Sequence, residues 1–324
     1  MQIFSAPNYD FIRWRWHALI LSAAVILAGV GYTVVQGGLP LGVDFSGGTI
    51  VVVKFQEPVS EQVVRDAIPG DEEVVQTYGE PGDHEILVRL PQIEGAEEGT
   101  SLEEGANRVV AALQGAGVPT FETVRTEIVG PVIGRELQLK GIYATLASIV
   151  GITLYIAFRF RPSFALGAIA ATFHDILVTV AFLSFFGYEL SLNVVAAILT
   201  ITGYSVNDTI VVFDRVRENL RTMRKDALDQ VVNKAVNQTL GRTVITAGTT
   251  FLAVLSLYVF GGEVLRGFAF TMLVGIVSGT YSTVFIAAAI AIMLSRRGRV
   301  ARVPTAAPVP PGRTKSKQRE ARAS

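Results

Sequence analysis

The order of apolar and polar positions along this chain of 324 residues separates several long apolar runs from one polar stretch. A helix needs about 20 mostly apolar residues to cross the roughly 30 Å hydrocarbon core of a membrane. Six runs reach about that length, at residues 17–35, 138–158, 163–187, 190–212, 243–261 and 264–294. The pattern therefore predicts a polytopic α-helical membrane protein with six transmembrane helices.

The polar stretch at residues 37–136, between the first two runs, has a different period. Four short segments rich in β-branched residues read as strands, among them GTIVVVKF and HEILVRL, and two segments read as helices, SEQVVRDAI and SLEEGANRVVAALQGAG. The resulting order, βαββαβ, is typical of a ferredoxin-like fold. We therefore predict one α+β domain here, with residues 1–36 forming the N-terminus and first helix.

The remaining chain divides into a helical part at 137–295 and a basic tail at 296–324. Within the helical part, residues 214–241 are basic and amphipathic, which favours the membrane interface or packing beneath the helices. The tail contains prolines and has no apolar periodicity, so we expect it to be disordered and, at most, to be attracted to anionic lipid or other acidic surfaces.

Charge is distributed unevenly, although the net charge is zero. Residues 37–136 hold 18 of the 28 acidic and 6 of the 28 basic residues, whereas basic residues cluster at 13–15, 159–161, 214–241 and 296–301. Basic residues in short loops mark the cytoplasmic side of a membrane. This distribution predicts that both termini are cytoplasmic and that residues 37–136 are extracytoplasmic. With no cysteine, the chain cannot form a disulfide or a thiolate metal site.

Few ionisable residues lie inside the apolar runs, and these are the candidates for chemistry. His174 and Asp175 fall in the third run, Asp208 falls in the fourth, and Arg242 begins the fifth. A charge at the bilayer centre costs about 2.5–3.5 kcal/mol on insertion scales. Such groups are therefore expected to face the interior of the bundle and to have a function.

Asp208 is the strongest candidate because polar residues surround it in the sequence pattern. Those expected within reach, on its own helix and on the next, are Ser205, Asn207, Arg242, Thr246 and Thr249. Desolvation favours the neutral form of a carboxyl group, whereas a guanidinium favours the charged form. This balance suits a proton relay formed by Asp208 and Arg242, and the same residues could instead form a structural Asp–Arg tie.

His174 and Asp175 are a second candidate. Neighbouring side chains on a helix point about 100° apart. We therefore expect these two not to share a proton directly, and to be either a supporting part of the relay or buried groups with separate partners. On the sixth run, Gly275 and Gly279 have the GxxxG spacing that marks close helix packing.

Four motifs, in this order, resemble the SecF family, the smaller half of the bacterial SecDF export complex. They are GVDFSGGT at 42–49, FHDILVT at 173–179, GYSVNDTIVVFDRVREN at 203–219 and RTVITAGTT at 242–250, and the resemblance covers about residues 10–295. It implies half of an RND-like assembly of twelve helices in the bacterial inner membrane. Its other half would be SecD, here a separate chain.

The resemblance also implies a function. Members of the family use the proton-motive force to assist preprotein translocation through SecYEG after the step driven by SecA, and the positions of Asp208 and Arg242 take part in proton transport. It implies no enzymatic activity, no nucleic acid partner, and no cofactor beyond the proton gradient.

Two alternatives come from other classes of protein. A half-size RND-type exporter of small or lipidic molecules would share the helix pattern, but it needs larger outer domains than about 90 residues provide. An intramembrane aspartyl protease would need two close catalytic aspartates. The only candidates are Asp175 and Asp208, and neither lies in a GxGD motif.

Overall fold

The computed structural model describes residues 7–68, 73–79, 82–90 and 100–300. In this part of the chain, six helical stretches are long and apolar enough to cross a membrane: Ile12–Val35, Val132–Arg159, Pro162–Phe185, Leu192–Thr222, Leu228–Phe260 and Val264–Ser295. The predicted polytopic helical fold with six spans is confirmed.

The elements are as follows, in chain order. The helices are α1 Arg15–Val35, α2 Val43–Ser46, α3 Glu61–Ala67, α4 Thr100–Gly115, α5 Pro131–Arg159, α6 Pro162–Phe185, α7 Leu192–Thr222, α8 Leu228–Phe260, α9 Gly262–Ser282 and α10 Ala288–Val300. The strands are β1 Gly48–Phe55, β2 Val74–Tyr78, β3 Glu85–Leu90 and β4 Phe121–Val129. A π-helical turn at Thr283–Ala287 joins α9 to α10, so that both belong to the sixth span.

The four strands form one sheet in the order β2-β3-β1-β4, and all neighbours are antiparallel. With α3 and α4, this gives the predicted βαββαβ order and a ferredoxin-like arrangement. One face of β1 and β3 packs against both helices, through residues that include Val51, Val53, Val64, Val109 and Leu113. The limits of the domain at 37 and 136 stay a prediction.

The spans differ in how much of their surface is covered. Of the most apolar stretch of each span, 67% is buried in Val264–Ser295 but only 6% in Val132–Arg159 and 11% in Leu228–Phe260. The third, fourth and sixth spans therefore form the centre of the bundle. The second and fifth leave wide apolar faces for lipid or for another membrane chain.

Two glycines allow α7 and α9 to approach closely. A Cβ atom added at Gly275 would overlap with the side chain of Ile201, and one added at Gly279 would lie 2.8 Å from the Cβ atom of Ser205. The close helix contact predicted from the GxxxG spacing is confirmed.

Residues 214–241 do not form a separate segment. They are the end of α7, a short turn at 223–227, and the beginning of α8, and their buried face includes Val216, Val231, Val232, Ala235 and Val236. They therefore pack beneath the bundle, one of the two predicted placements. At the C-terminus, α10 continues to Val300, so residues 296–300 of the expected disordered tail are helical, and residues 301–324 lie outside the described part.

Candidate functional site

Asp208 lies midway along α7, and its side chain is directed towards α8. The hydroxyl of Thr243 donates a hydrogen bond of 2.7 Å to its Oδ1 atom. Its Oδ2 atom is buried and has no hydrogen-bond partner among the described residues. A buried carboxyl oxygen without a partner is costly, so this atom is where Asp208 can bind a proton or an additional donor.

The residues expected around Asp208 take other positions. Ser205 is buried and faces α6, whereas Asn207, Thr246 and Thr249 are exposed on the surface of this chain. The hydroxyl of Thr249 bonds to carbonyl groups of its own helix. Among the described residues, no hydrogen bond joins the predicted hydroxyl stripe on α8 to Asp208; the bond comes from Thr243, one residue after Arg242.

Arg242, on α8, is also exposed. None of the ion pairs between described residues joins the side chain of Arg242 to that of Asp208. Asp208 thus lies between α7 and α8, and Arg242, Asn207, Thr246 and Thr249 are exposed on the same two helices.

Asp175 lies in the centre of the bundle, where hydroxyl groups surround it. Ser205 and Ser282 donate to its Oδ2 atom at 2.5 and 2.7 Å, and Ser278 donates to Oδ1 at 2.7 Å. His174 completes the group, with its Nδ1 atom 3.0 Å from Oδ1. This cluster connects α6, α7 and α9, and it does not include Asp208.

The expectation that His174 and Asp175 cannot share a proton directly is wrong. Their Cβ atoms do point in different directions, as helix geometry requires. However, consecutive Cα atoms are only about 3.8 Å apart, and the ring is long enough to bring Nδ1 back to the neighbouring carboxylate. The two residues form one hydrogen-bonded pair.

Sequence reasoning missed the serines that complete this cluster. Ser278 and Ser282 are one helical turn apart on α9, on the side that contains Gly279. Two hydroxyls at that spacing, beside the small residue of a packing motif, are the signal that could have predicted a polar partner for Asp175.

Sequence reasoning also missed Asp44, a residue of α2 that links the sheet to the bundle. The Oδ2 atom of Asp44 accepts a hydrogen bond of 2.9 Å from the backbone N–H of Leu192, the first residue of α7. The adjacent chain segments pair through two backbone bonds of 2.8 Å, from Gly42 to Leu190 and from Leu190 to Pro40. Asp44 therefore adds to the cap of the helix that carries Asp208, whose N-cap residue Ser191 accepts a hydrogen bond from the N–H of Val194.

Three glycines make this attachment possible. Gly47 and Gly48 follow α2 with φ values of +72° and +116°, which favour glycine. Near the first turn of α5, Gly134 leaves room for this turn, since a Cβ atom there would lie 3.2 Å from the backbone nitrogen of Gly47. The GVDFSGGT segment is thus a rigid connection between the sheet, α5 and α7.

We expect Asp44→Ala to loosen the start of α7 by about 0.5–1.5 kcal/mol, the usual net contribution of one hydrogen bond, because the N-cap Ser191 stays in place. Hydrogen exchange of the Leu192 amide in the intact, detergent-purified chain measures this. Asp44→Asn is the matched control, because its amide oxygen can still accept the bond, and it should keep most of the protection. Protection at the wild-type level in Asp44→Ala would show that the carboxylate is not the cap.

The fold and these buried groups define a class of protein. It is a multi-pass membrane protein with six spans, a small ferredoxin-like sheet between the first two, and ionisable residues held inside the bundle, where such groups usually have a function.

Comparisons with known proteins identify the family. Residues 109–297 match the family described as protein export membrane protein SecD/SecF, C-terminal, and residues 34–59 match the SecD/SecF GG motif. The protein translocase subunit SecF of Rhodothermus marinus is 40% identical over 93% of this chain and 98% of that protein, and the one of Magnetococcus marinus is 42% identical over 92% and 96%. The chain belongs to the SecF family of protein translocase subunits.

A solved structure shows the same fold. The crystal structure of SecDF from Thermus thermophilus, a translocon-associated membrane protein, has a TM-score of 0.79 and 33% sequence identity to this chain. The alignment covers 90% of this chain but 39% of the SecDF chain. This chain therefore spans about two fifths of that protein.

Proposed function

We propose that this chain is the SecF-type subunit of a complex that uses the proton-motive force to assist preprotein translocation. In this proposal, its partner is a separate SecD-type chain, and both act on the SecYEG channel after the step driven by SecA. The complex lies in the bacterial inner membrane, with both termini of this chain cytoplasmic and the sheet on the outer side. The chain itself catalyses no chemical reaction.

The observation that carries the proposal is the geometry of Asp208. A membrane-embedded carboxyl group with one oxygen held by Thr243 and the other buried without a partner can bind a proton at the second oxygen and release it when its surroundings change. This supports the role of a proton-binding group more directly than that of an Asp–Arg tie, since no ion pair with Arg242 is formed.

The position of Asp208 supports the need for a second chain. Arg242, Asn207, Thr246 and Thr249 are exposed on the two helices that meet at Asp208. Polar groups facing hydrocarbon are expensive, so a partner that covers this face would lower their free energy and could bring a further ionisable group to Asp208.

The energy involved is adequate for a mechanical role. Moving one charge across 100 mV of membrane potential provides about 2.3 kcal/mol. A few protons per cycle could therefore bias the position of the sheet or oppose backsliding of a preprotein. The cap that Asp44 provides gives such a motion a direct route from α7 to the sheet.

Reconstitution tests the function. The chain is co-expressed with its SecD-type partner and placed in liposomes with SecYEG, SecA and a preprotein. We expect translocation to be faster with a proton gradient than after the gradient is collapsed, relative to liposomes that lack the complex. An equal response of both kinds of liposome to the gradient would contradict the proposal.

A further inference from the structure

A buried polar cluster in the bundle lies outside the site of Asp208. Its members are Ser22 on α1, His174 and Asp175 on α6, Ser205 on α7, and Ser278, Tyr281 and Ser282 on α9. His174 and Asp175 are 7% and 1% exposed. Buried polar groups are stable only if their hydrogen bonds are satisfied, so the position of each hydrogen in this cluster can be worked out.

The hydrogen positions can be assigned by starting at the Tyr281 end of this chain of hydrogen bonds. The hydroxyl of Tyr281 is 2.7 Å from the backbone carbonyl of Ala18, and a carbonyl can only accept, so Tyr281 donates its single hydrogen there. The Ser22 hydroxyl, 3.2 Å from the Tyr281 oxygen, must then be the donor in that bond. Since its hydrogen is used, Ser22 accepts from His174, whose Nε2 atom is 2.9 Å away and carries a hydrogen.

The other ring nitrogen faces Asp175. A carboxylate accepts about four hydrogen bonds, two at each oxygen. The hydrogen of Ser282 points to Oδ2 at 2.7 Å rather than to the Gly279 carbonyl at 3.2 Å. Ser205 and Ser282 therefore occupy the two sites at Oδ2, and Ser278 occupies one at Oδ1, so that the fourth is left for Nδ1 of His174. Three hydroxyl donors favour the charged form of the carboxyl group, and a charged carboxylate requires a hydrogen on Nδ1.

We propose that His174 and Asp175 form a second proton-binding site, an imidazolium–carboxylate pair that retains its proton during the working cycle. Both ring nitrogens carry hydrogens, the carboxylate carries none, and the pair is neutral overall. Unlike Asp208, whose Oδ2 atom is unpartnered, every acceptor position of Asp175 is filled. This inference does not depend on the function proposed for Asp208.

The surroundings explain why the proton stays. The chain of hydrogen bonds that begins at Nε2 of His174 ends at the carbonyl oxygen of Ala18, and this oxygen has no hydrogen of its own to pass on. On the other side, the hydrogen of Ser205 is directed to Asp175, so no hydrogen bond leads from the pair to Asp208. Among the described residues, hydroxyl groups of α1, α7 and α9 are the only polar side chains that contact the pair.

An apolar cleft of about 450 Å³ reaches the pair. His174, Ser22, Ser278 and Tyr281 are its polar lining, and its other lining residues are apolar, among them Leu21, Val25 and Val178. A space lined mostly by apolar side chains offers water few hydrogen-bond partners. The pair therefore acts as a neutral tie between α1, α6, α7 and α9, and it holds the helix that carries Asp208.

Nitrogen NMR of histidine tests the proposal in the intact chain. The sequence has three histidines, so His17→Gln and His84→Asn leave His174 as the only one. Asparagine suits position 84 because φ is +54° there. We expect the spectrum to show a hydrogen on both ring nitrogens of His174 at about pH 8, because each nitrogen faces an acceptor. An unprotonated ring nitrogen there would overturn the proposal.

A variant tests the role of Asp175 in the same background. In Asp175→Asn the counter-ion is lost, so His174 should carry one hydrogen at about pH 8, as a neutral ring does. A doubly protonated His174 in this variant would show that Asp175 does not hold the proton, which would also overturn the proposal. If the variant does not fold, the measurement on the intact pair still decides the question.

Discussion

Asp208→Asn should abolish the proton-dependent part of preprotein translocation and leave the complex assembled. Asparagine has nearly the same shape, and its amide oxygen can still accept the hydrogen bond from Thr243. It cannot bind and release a proton. Translocation in reconstituted liposomes should therefore fall to the rate measured without a gradient, while the rate without a gradient stays unchanged.

Asp214→Asn is the matched control, because it makes the same change on the same helix. Asp214 forms an ion pair of 2.8 Å with Arg159 and is 43% exposed, so its loss should cost no more than about 1 kcal/mol. This variant should keep its response to the gradient. A wild-type response in Asp208→Asn, or an equal loss in both variants, would rule out a specific proton-binding role for Asp208.

The number and type of the elements could be predicted because both depend on local patterns. Apolar length gives the spans, and the change of period at 37–136 gives the βαββαβ order. The ends of the helices at 214–241 were harder to predict. A search for apolar runs stops at the first charged residues, whereas α7 continues to Thr222 because its buried face keeps helical spacing beyond the membrane.

The residues of the candidate site could be found from the cost of burying charge, but their partners could not. Which side of α8 faces Asp208 depends on how two helices are rotated, and a difference of one residue, about 100°, replaces Arg242 with Thr243 as the residue facing Asp208. The contact between Asp44 and Leu192 joins positions 148 residues apart. No periodic pattern encodes such a contact, so only the folded chain shows it.

Gly275→Ala should destabilise the bundle by about 1–3 kcal/mol, the usual cost of overfilling a packed interior. The new Cβ atom would overlap with the branched side chain of Ile201 on α7. To relieve this contact, α7 and α9 must move apart. Asp175 is bonded to both helices, through Ser205 on α7 and through Ser278 and Ser282 on α9, so these bonds cannot all be kept. Denaturation of the detergent-purified chain, followed by its circular dichroism, measures the loss.

Gly151→Ala separates the effect of packing from that of the residue type. Gly151 lies on α5, is exposed, and has no atom within 4 Å of an added Cβ, so alanine there meets nothing. Alanine is favoured over glycine inside a helix by about 1 kcal/mol, so this variant should be as stable as the wild type or more so. A loss of stability in Gly275→Ala together with no loss in Gly151→Ala is expected only if the contact between α7 and α9 limits the stability of the bundle. Equal stability of the two variants would mean that the bundle can absorb the extra methyl group, and that the small residue at 275 is not required for the packing of these helices.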